Sequence, residues 1–210
     1  VSRTGIEERR IAEDSQATSD LAFEAAKKAL ENAKISPEEI ELIIVATMTP
    51  DYFTPATAAL VQDKLGAKNA AAFDLSSACS GQVYALVTAQ NFIATGMYKK
   101  ALVIGAETLS KVIDWTDRNT CILFGDGASA MVLGEVEKDY GIKAFHLGAD
   151  GSGEKALLVP AGGSRMPATK ETIEGKEHFL KMMGKEVFKF AVNVIPETVG
   201  KTLEKANMKM

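Results

Sequence analysis

Short runs of apolar residues alternate along the chain with stretches in which apolar positions recur every three or four residues. Continuous apolar runs at 42–45 and 101–104 are typical of strands that are buried on both faces of a parallel sheet. The small apolar segment 70–73 is a third predicted strand, and helical spacing follows it over 82–94. Strand, helix and strand in this order predict parallel pairing with right-handed crossovers, and hence an α/β fold.

Helix-capping residues mark two more helices in the first third of the chain. Ser19-Asp20 has N-cap chemistry ahead of a predicted helix over 21–33. A second, short helix is predicted over 56–65, where Gly66 ends it in the usual C-cap position.

The second half of the chain is less regular. Further strands are predicted at 130–133 and 141–147, and the Gly- and Pro-rich stretch 148–176 indicates a long loop. Helical patterning then runs over 179–208, and Pro196 is expected to kink that helix.

Cys79 lies between the predicted strand 70–73 and the helix 82–94, beside Ala78, Ser80 and Gly81. A nucleophile at a sharp strand-to-helix turn is the arrangement of a nucleophile elbow, and small neighbours let both the backbone and a substrate come close. Unpaired N–H groups at the helix start favour the thiolate form of such a cysteine. On spacing alone, a buried structural cysteine is an equally good interpretation.

Composition excludes several classes of function. The formal net charge is −4, whereas a nucleic-acid-binding domain is usually basic. No run of 18 apolar residues indicates a membrane span, and the polar opening at Val1 does not read as a signal peptide. Two cysteines make no disulfide framework, which favours the cytoplasm, and the widely separated His146 and His178 predict no metal site.

Three separated motifs, in this order, carry a family resemblance. They are Ser77-Ala78-Cys79-Ser80-Gly81, Phe124-Gly125-Asp126-Gly127-Ala128 and Gly184-Lys185-Glu186-Val187-Phe188, and the opening Arg3-Thr4-Gly5-Ile6 agrees with them. With these motifs the chain resembles the β-ketoacyl-acyl carrier protein synthase III family over essentially all of its 210 residues. The resemblance implies a thiolase-like layered α-β-α-β-α fold. Its N-terminal half, 1–138, is expected to be nearly complete, and its C-terminal half, 139–210, truncated.

The resemblance also implies an acyltransferase that starts type II fatty-acid synthesis. Cys79 would take an acyl group from acyl-coenzyme A and condense it with malonyl-acyl carrier protein. Acyl-coenzyme A is then a substrate, so no cofactor is expected. The implied partners are the acyl carrier protein and a second copy of the chain in a homodimer.

Seven further positions match substrate-binding residues of the family. Arg3 and Arg118 match contacts to coenzyme A, and arginine forks suit phosphate binding in an otherwise acidic protein. Thr54 matches a gate that reaches the partner subunit's pocket. The matches along the acyl and pantetheine tunnel are Leu109, Phe124, Val187 and Phe188.

The sequence departs from the family pattern at both ends. A short segment with a tryptophan would precede Val1, and the family's catalytic histidine and asparagine would lie beyond Met210; neither His146 nor His178 matches that histidine. One alternative is therefore a truncated, dimer-forming fragment that cannot condense. Another is a different thiolase-fold acyltransferase, such as a polyketide starter or hydroxymethylglutaryl-type synthase.

Overall fold

The computed structural model describes residues 4–137 and 140–209 of the chain, which form two compact units. The sheet unit comprises Glu8–Leu109 and Gly125–Lys138, as far as the described residues reach. The hairpin unit comprises Val1–Glu7, Ser110–Phe124 and Asp139–Met210, with the same limit. The division into domains at 1–138 and 139–210 stays a prediction.

A four-stranded sheet forms the centre of the sheet unit. Its strands are β1 (Leu42–Ala46), β2 (Ala71–Leu75), β3 (Lys100–Thr108) and β4 (Asp126–Gly134), in the order β2-β1-β3-β4. The central strand β1 pairs in parallel with both β2 and β3, which confirms the predicted parallel pairing. The strand β4 runs antiparallel to β3, which no pattern in the sequence indicated.

Helices cover both faces of this sheet, which makes three layers. The helices are α1 (Thr18–Ala33), α2 (Thr57–Leu65) and α3 (Gly81–Ala94). Along β1 the side chains alternate, so that Ile43 and Val45 pack with α1 and α2, while Leu42 and Ile44 pack with α3. Complete burial of one such side chain contributes about 1.5–3 kcal/mol, so β1 is the main anchor of the unit.

Two carboxylates fix the N-termini of α1 and α2, which pack on the same face of the sheet. Asp20 accepts a hydrogen bond of 2.8 Å from the N–H of Ala17, the N-cap of α1. It also forms an ion pair of 2.6 Å with Lys64. That backbone bond, and then Lys64, hold the pKa of Asp20 below its usual range. Asp74 of β2 accepts the N–H groups of Thr57 and Ala58, each at 2.7 Å, and so caps α2 from the neighbouring strand.

The Gly-Asp-Gly-Ala motif of residues 125–128 lies at the start of a strand that the sequence predicted only over 130–133. β4 already begins at Asp126, and neither Gly125 nor Gly127 has a positive φ. Instead, a Cβ at Gly125 would lie 3.0 Å from the carbonyl oxygen of Arg10. Asp126 donates its N–H to that oxygen and accepts the N–H of Ala12, each at 2.8 Å. The motif therefore holds the incoming N-terminal segment against the sheet.

The hairpin unit contains more regular structure than the sequence indicated. The predicted loop 148–176 includes β5 (Leu157–Leu158) and α4 (Lys170–Glu174). β5 pairs with β6 (Lys181–Met182), and for this reason the long helix α5 (Gly184–Lys205) starts later than predicted. α5 continues through Pro196.

The strand predicted at 141–147 is wrong. No residue of this segment enters a ladder in the described part of the chain, and Gly141 takes a left-handed conformation with φ of 85°. An apolar run forms a strand only where a second strand lies within hydrogen-bonding reach.

Candidate active site

Cys79 lies at a sharp turn between β2 and α3, as the sequence predicted. A single 3-10 turn, Ala78–Ser80, joins the strand to the helix, and the Cys79 side chain is exposed. The hydroxyl of Ser80 donates to the carbonyl of Ser77 at 2.9 Å, and the N–H of Gly81 donates to the carbonyl of Ala78. These bonds close the turn on itself and present the thiol at its tip.

Backbone strain is concentrated immediately before the thiol. Ala78 has a φ of 45°, a left-handed conformation that costs an alanine about 1–2 kcal/mol. Strain of this kind marks functional turns when the surrounding structure maintains it. Close packing beside Gly81 contributes to maintaining the turn, since a Cβ at Gly81 would lie 3.2 Å from the Cβ of Ala46. The first turn of α3 therefore contacts the end of β1 at a distance that only glycine permits comfortably.

Within the described ranges, no backbone carbonyl accepts the N–H of Cys79. A free backbone N–H beside a nucleophile can stabilise the oxyanion that forms when the nucleophile attacks a carbonyl. One such donor contributes about 3 kcal/mol in comparable enzyme sites.

A cavity of about 380 Å³ opens beside Cys79 and lies wholly within the sheet unit. Its volume falls within the range of about 300–1,000 Å³ that is usual for ligand pockets. Small or apolar side chains supply half of its lining, and these are Ala46, Met48, Ala78, Ala106, Leu109 and Ala128. The cavity therefore suits a small apolar group attached to the thiol.

Glu107 brings a carboxylate to the same cavity from the carboxyl end of β3. It accepts the N–H of Met48 at 2.8 Å and the hydroxyl of Thr49 at 2.5 Å. Thr49 in turn accepts the N–H of Thr108 at 2.9 Å. Glu107 therefore ties the end of β1 to the end of β3 at the wall of the cavity.

Gln82 brings a second polar group, from the first turn of α3. Its Oε1 accepts the hydroxyl of Ser129 at 3.0 Å, and its side chain lies on Gly105, where a Cβ would come within 2.9 Å of Oε1. Its Nε2 is buried without a hydrogen-bond partner among the described residues.

Comparison with known proteins gives a consistent picture. The family model for 3-oxoacyl-[acyl-carrier-protein] synthase III matches residues 73–151, which include the Cys79 turn and β4. Over 206 residues the chain is 61% identical to a β-ketoacyl-[acyl-carrier-protein] synthase III from Caldanaerobacter subterraneus subsp. tengcongensis. By sequence, this chain is similar to proteins of the synthase III family.

Solved structures agree with the sequence match and show the thiolase-like α/β fold. The 3-oxoacyl-[acyl-carrier-protein] synthase III of Aquifex aeolicus aligns with 99% of this chain at 46% identity and a TM-score of 0.87. The priming β-ketosynthase of the R1128 polyketide pathway aligns with all of it at 36% identity and a TM-score of 0.89.

The chain spans only part of the length of these synthase III relatives. The alignment covers 98% of this chain but 62% of the Caldanaerobacter protein, and it covers 62% of the Aquifex chain and 61% of the R1128 chain.

The structure brings some of the predicted site residues together. Leu109 lines the cavity with Cys79, and Thr54 is exposed on the loop between β1 and α2 of the same unit. In the hairpin unit, Arg118 is exposed and Phe188 of α5 is 69% exposed.

The substrate-binding roles of the other residues remain predictions. Phe124 and Val187 belong to the hairpin unit and are partly buried. Arg3 lies outside the described residues. Cys121 is partly buried in the hairpin unit.

The histidines and possible metal ligands add nothing to this site. His178 makes a hydrogen bond of 2.9 Å through Nε2 to the hydroxyl of Thr172, within the hairpin unit. In 4–137 and 140–209, no group of three or more His, Cys, Asp or Glu side chains is arranged to hold a metal ion. No helix in these ranges has the length and apolar character needed to cross a membrane.

Sequence reasoning missed the two polar residues of the cavity wall, Glu107 and Gln82. Glu107 directly follows the apolar run of β3, and polar residues at the carboxyl ends of adjacent parallel strands are a known sign of a site. Thr47 and Thr49 follow β1, and Glu107 follows the run 101–104. This placement of polar residues after two adjacent strands could have identified Glu107 from the sequence.

Proposed function

We propose that the protein is an initiating condensing enzyme of type II fatty-acid synthesis, with Cys79 as its nucleophile. The observation that supports this most directly is the exposed thiol at a strained strand-to-helix turn beside a largely apolar cavity. Synthase III relatives that are more than half identical agree with it.

The first half-reaction transfers an acyl group from acyl-coenzyme A to the protein. The Cys79 sulfur attacks the thioester carbonyl and forms a new C–S bond, while the bond to the coenzyme A sulfur breaks. The proton of the Cys79 thiol ends on coenzyme A. The free N–H of Cys79 is a donor to the oxyanion in this step.

The second half-reaction extends the chain. Malonyl-acyl carrier protein loses carbon dioxide, and the resulting carbanion attacks the carbonyl carbon of the acyl-cysteine. A C–C bond forms, the C–S bond breaks, and the β-ketoacyl-carrier protein leaves, while the released Cys79 thiolate takes up a proton from water. Coenzyme A binding through Arg3 and Arg118, and a tunnel formed with Leu109, Phe124, Val187 and Phe188, belong to the same proposal.

Acylation followed by condensation is the direct test. The complete gene product is mixed with acetyl-coenzyme A, and the adduct is mapped by peptide mass spectrometry. Malonyl-acyl carrier protein is then added. We expect one acetyl group on Cys79 and then acetoacetyl-carrier protein, because a thioester on a soft nucleophile remains reactive toward a carbanion. An acetyl group on Cys121 instead, or no condensation product, would contradict the proposal.

Priming of polyketide synthesis is a second candidate, favoured by the alignment of the whole chain with the R1128 priming β-ketosynthase. The two functions share the chemistry at Cys79 and differ in the carrier protein. Condensation with a fatty-acid carrier protein but not with a polyketide carrier protein would exclude priming.

Both cysteines are free thiols, which supports a reducing, cytoplasmic setting.

We also propose a homodimer, as the resemblance of Thr54 to a shared gate implies. Two large apolar side chains precede Thr54 on its loop, Tyr52 at 61% and Phe53 at 92% exposure. Exposed aromatic clusters of this kind mark protein interaction sites. In addition, β2 is the edge strand of the sheet in the described part of the chain, and its outer row of backbone groups is unpaired there.

Light scattering of the complete gene product should give the mass of two chains at micromolar concentration. Phe53→Asp should shift the protein toward the monomer, because burying an unpaired carboxylate at an interface is costly. Met97→Asp is the control, since Met97 is 61% exposed just beyond α3. A dimer that tolerates Phe53→Asp as well as Met97→Asp would place the interface elsewhere.

A further inference from the structure

We propose that Ala78 is a positioning residue for acyl transfer, whose restricted left-handed backbone holds the Cys79 thiol and the Cys79 N–H in one orientation. This inference rests on the proposed acylation of Cys79 and assigns a role to the residue before the nucleophile. It depends on the φ of 45° at Ala78, which lines the cavity together with Cys79.

A positive φ at Ala78 is not explained by the end of a helix. The other non-glycine residues with a positive φ in the described ranges are Lys34, Lys176 and Asn207. Each of these lies at or just after the C-terminal end of α1, α4 or α5, where a left-handed residue is a common terminator. Ala78 instead lies ahead of α3, so the cause of its conformation is in the turn itself.

Hydrogen bonds on both sides of Ala78 impose this conformation. The carbonyl of Ser77 accepts the N–H of Ser80 at 3.2 Å and the hydroxyl of Ser80 at 2.9 Å. The carbonyl of Ala78 accepts the N–H of Gly81. Because the peptide groups before and after Ala78 are both bound, a return to negative φ would rotate at least one carbonyl away from its donor.

An alanine restricts the turn more tightly than a glycine would. A residue with a Cβ has only a small left-handed region open to it, whereas glycine populates positive φ broadly. Alanine therefore lowers stability here but leaves the turn one narrow conformation, and the positions of the Cys79 sulfur and N–H follow from it. Such precision matters, because a misplacement of about 1 Å can lower a rate about a hundredfold.

Ala78→Gly tests this role on the complete gene product. Denaturant unfolding should have a higher midpoint, because glycine takes the left-handed conformation without strain. The maximal rate of Cys79 acylation by acetyl-coenzyme A should nevertheless fall about tenfold, because the sulfur and the N–H no longer keep one orientation. The half-saturating concentration of acetyl-coenzyme A should change little. Alkylation of Cys79 by iodoacetamide should also change little, since it needs the thiolate but no oxyanion donor.

Lys34→Gly is the matched control, because Lys34 has a φ of 55° and is exposed at the end of α1 in the same unit. It should raise the unfolding midpoint in the same way and leave the acylation rate unchanged. Ala78→Ser keeps a Cβ at the turn, and it should keep most of the acylation rate.

The outcomes separate this inference from the proposed function. If the wild-type protein is not acylated at Cys79, the proposed function fails. If it is acylated but Ala78→Gly is acylated as fast as the wild type or as Ala78→Ser, the role of Ala78 is wrong while the function stands. Two other results also contradict that role, namely an unfolding midpoint of Ala78→Gly no higher than that of the wild type, and equal losses of alkylation and acylation.

Discussion

Replacing Cys79 with alanine should abolish acyl transfer and lower kcat/KM by about a thousandfold or more. The variant keeps the turn, because alanine fits wherever the exposed cysteine does. It removes the only atom of the cavity wall on which the proposed mechanism forms a covalent bond. The measurement is the rate of condensation by the complete gene product, together with the mass of any acyl adduct.

Cys121→Ala is the matched control, since Cys121 is the second cysteine of the chain and belongs to the hairpin unit. That variant should keep its acyl adduct and nearly all of its activity. Iodoacetamide gives a readout that does not depend on turnover. It should label the exposed Cys79 ahead of the partly buried Cys121. If the Cys79→Ala protein is still acylated at the wild-type rate, Cys79 is not the nucleophile.

Replacing Glu107 with alanine should lower the free energy of unfolding by about 1–3 kcal/mol, mainly because the buried Thr49 loses its acceptor. The carboxylate accepts from the N–H of Met48 and from the hydroxyl of Thr49, and Thr49 is only 8% exposed. Each donor that loses its partner away from water costs about 1–3 kcal/mol. Glu107→Gln should cost less, because the amide oxygen still accepts one of the two bonds.

Denaturant unfolding measures this loss, and hydrogen exchange at the Met48 amide localises it. Glu24→Ala is the control, because that carboxylate is 57% exposed and makes a single long ion pair with Lys27. Exposed pairs of this kind contribute about 1 kcal/mol or less. If Glu107→Ala is no less stable than Glu24→Ala, the carboxylate does not hold the ends of β1 and β3 together.

Local signals in the sequence predicted the parts of the fold that depend on local chemistry. The apolar runs at 42–45 and 101–104 became β1 and β3, and Gly66 ends α2 with a φ of 70°. The turn at Cys79 was also predictable, because a strand and a helix leave few residues between them.

Features that depend on distant partners could not be predicted in the same way. The run 141–147 is as apolar as many strands, but no strand pairs with it in the described part of the chain. The antiparallel orientation of β4 is set by its pairing with β3, not by a pattern within β4 itself. The Gln82 side chain takes its position from Gly105 and Ser129, which lie far along the chain. Periodicity carries no information about such encounters.

The order of the strands determines how long β1 remains unpaired while the ribosome synthesises the chain. β1 is synthesised before both of its neighbours, and β3 emerges only after β2 and α3 are complete. At about 5–20 residues per second, the most apolar strand of the sheet waits several seconds with one edge open. Translational pausing between α3 and β3 would lengthen that exposure, whereas slow codons after β4 would act on a sheet that is already closed around β1.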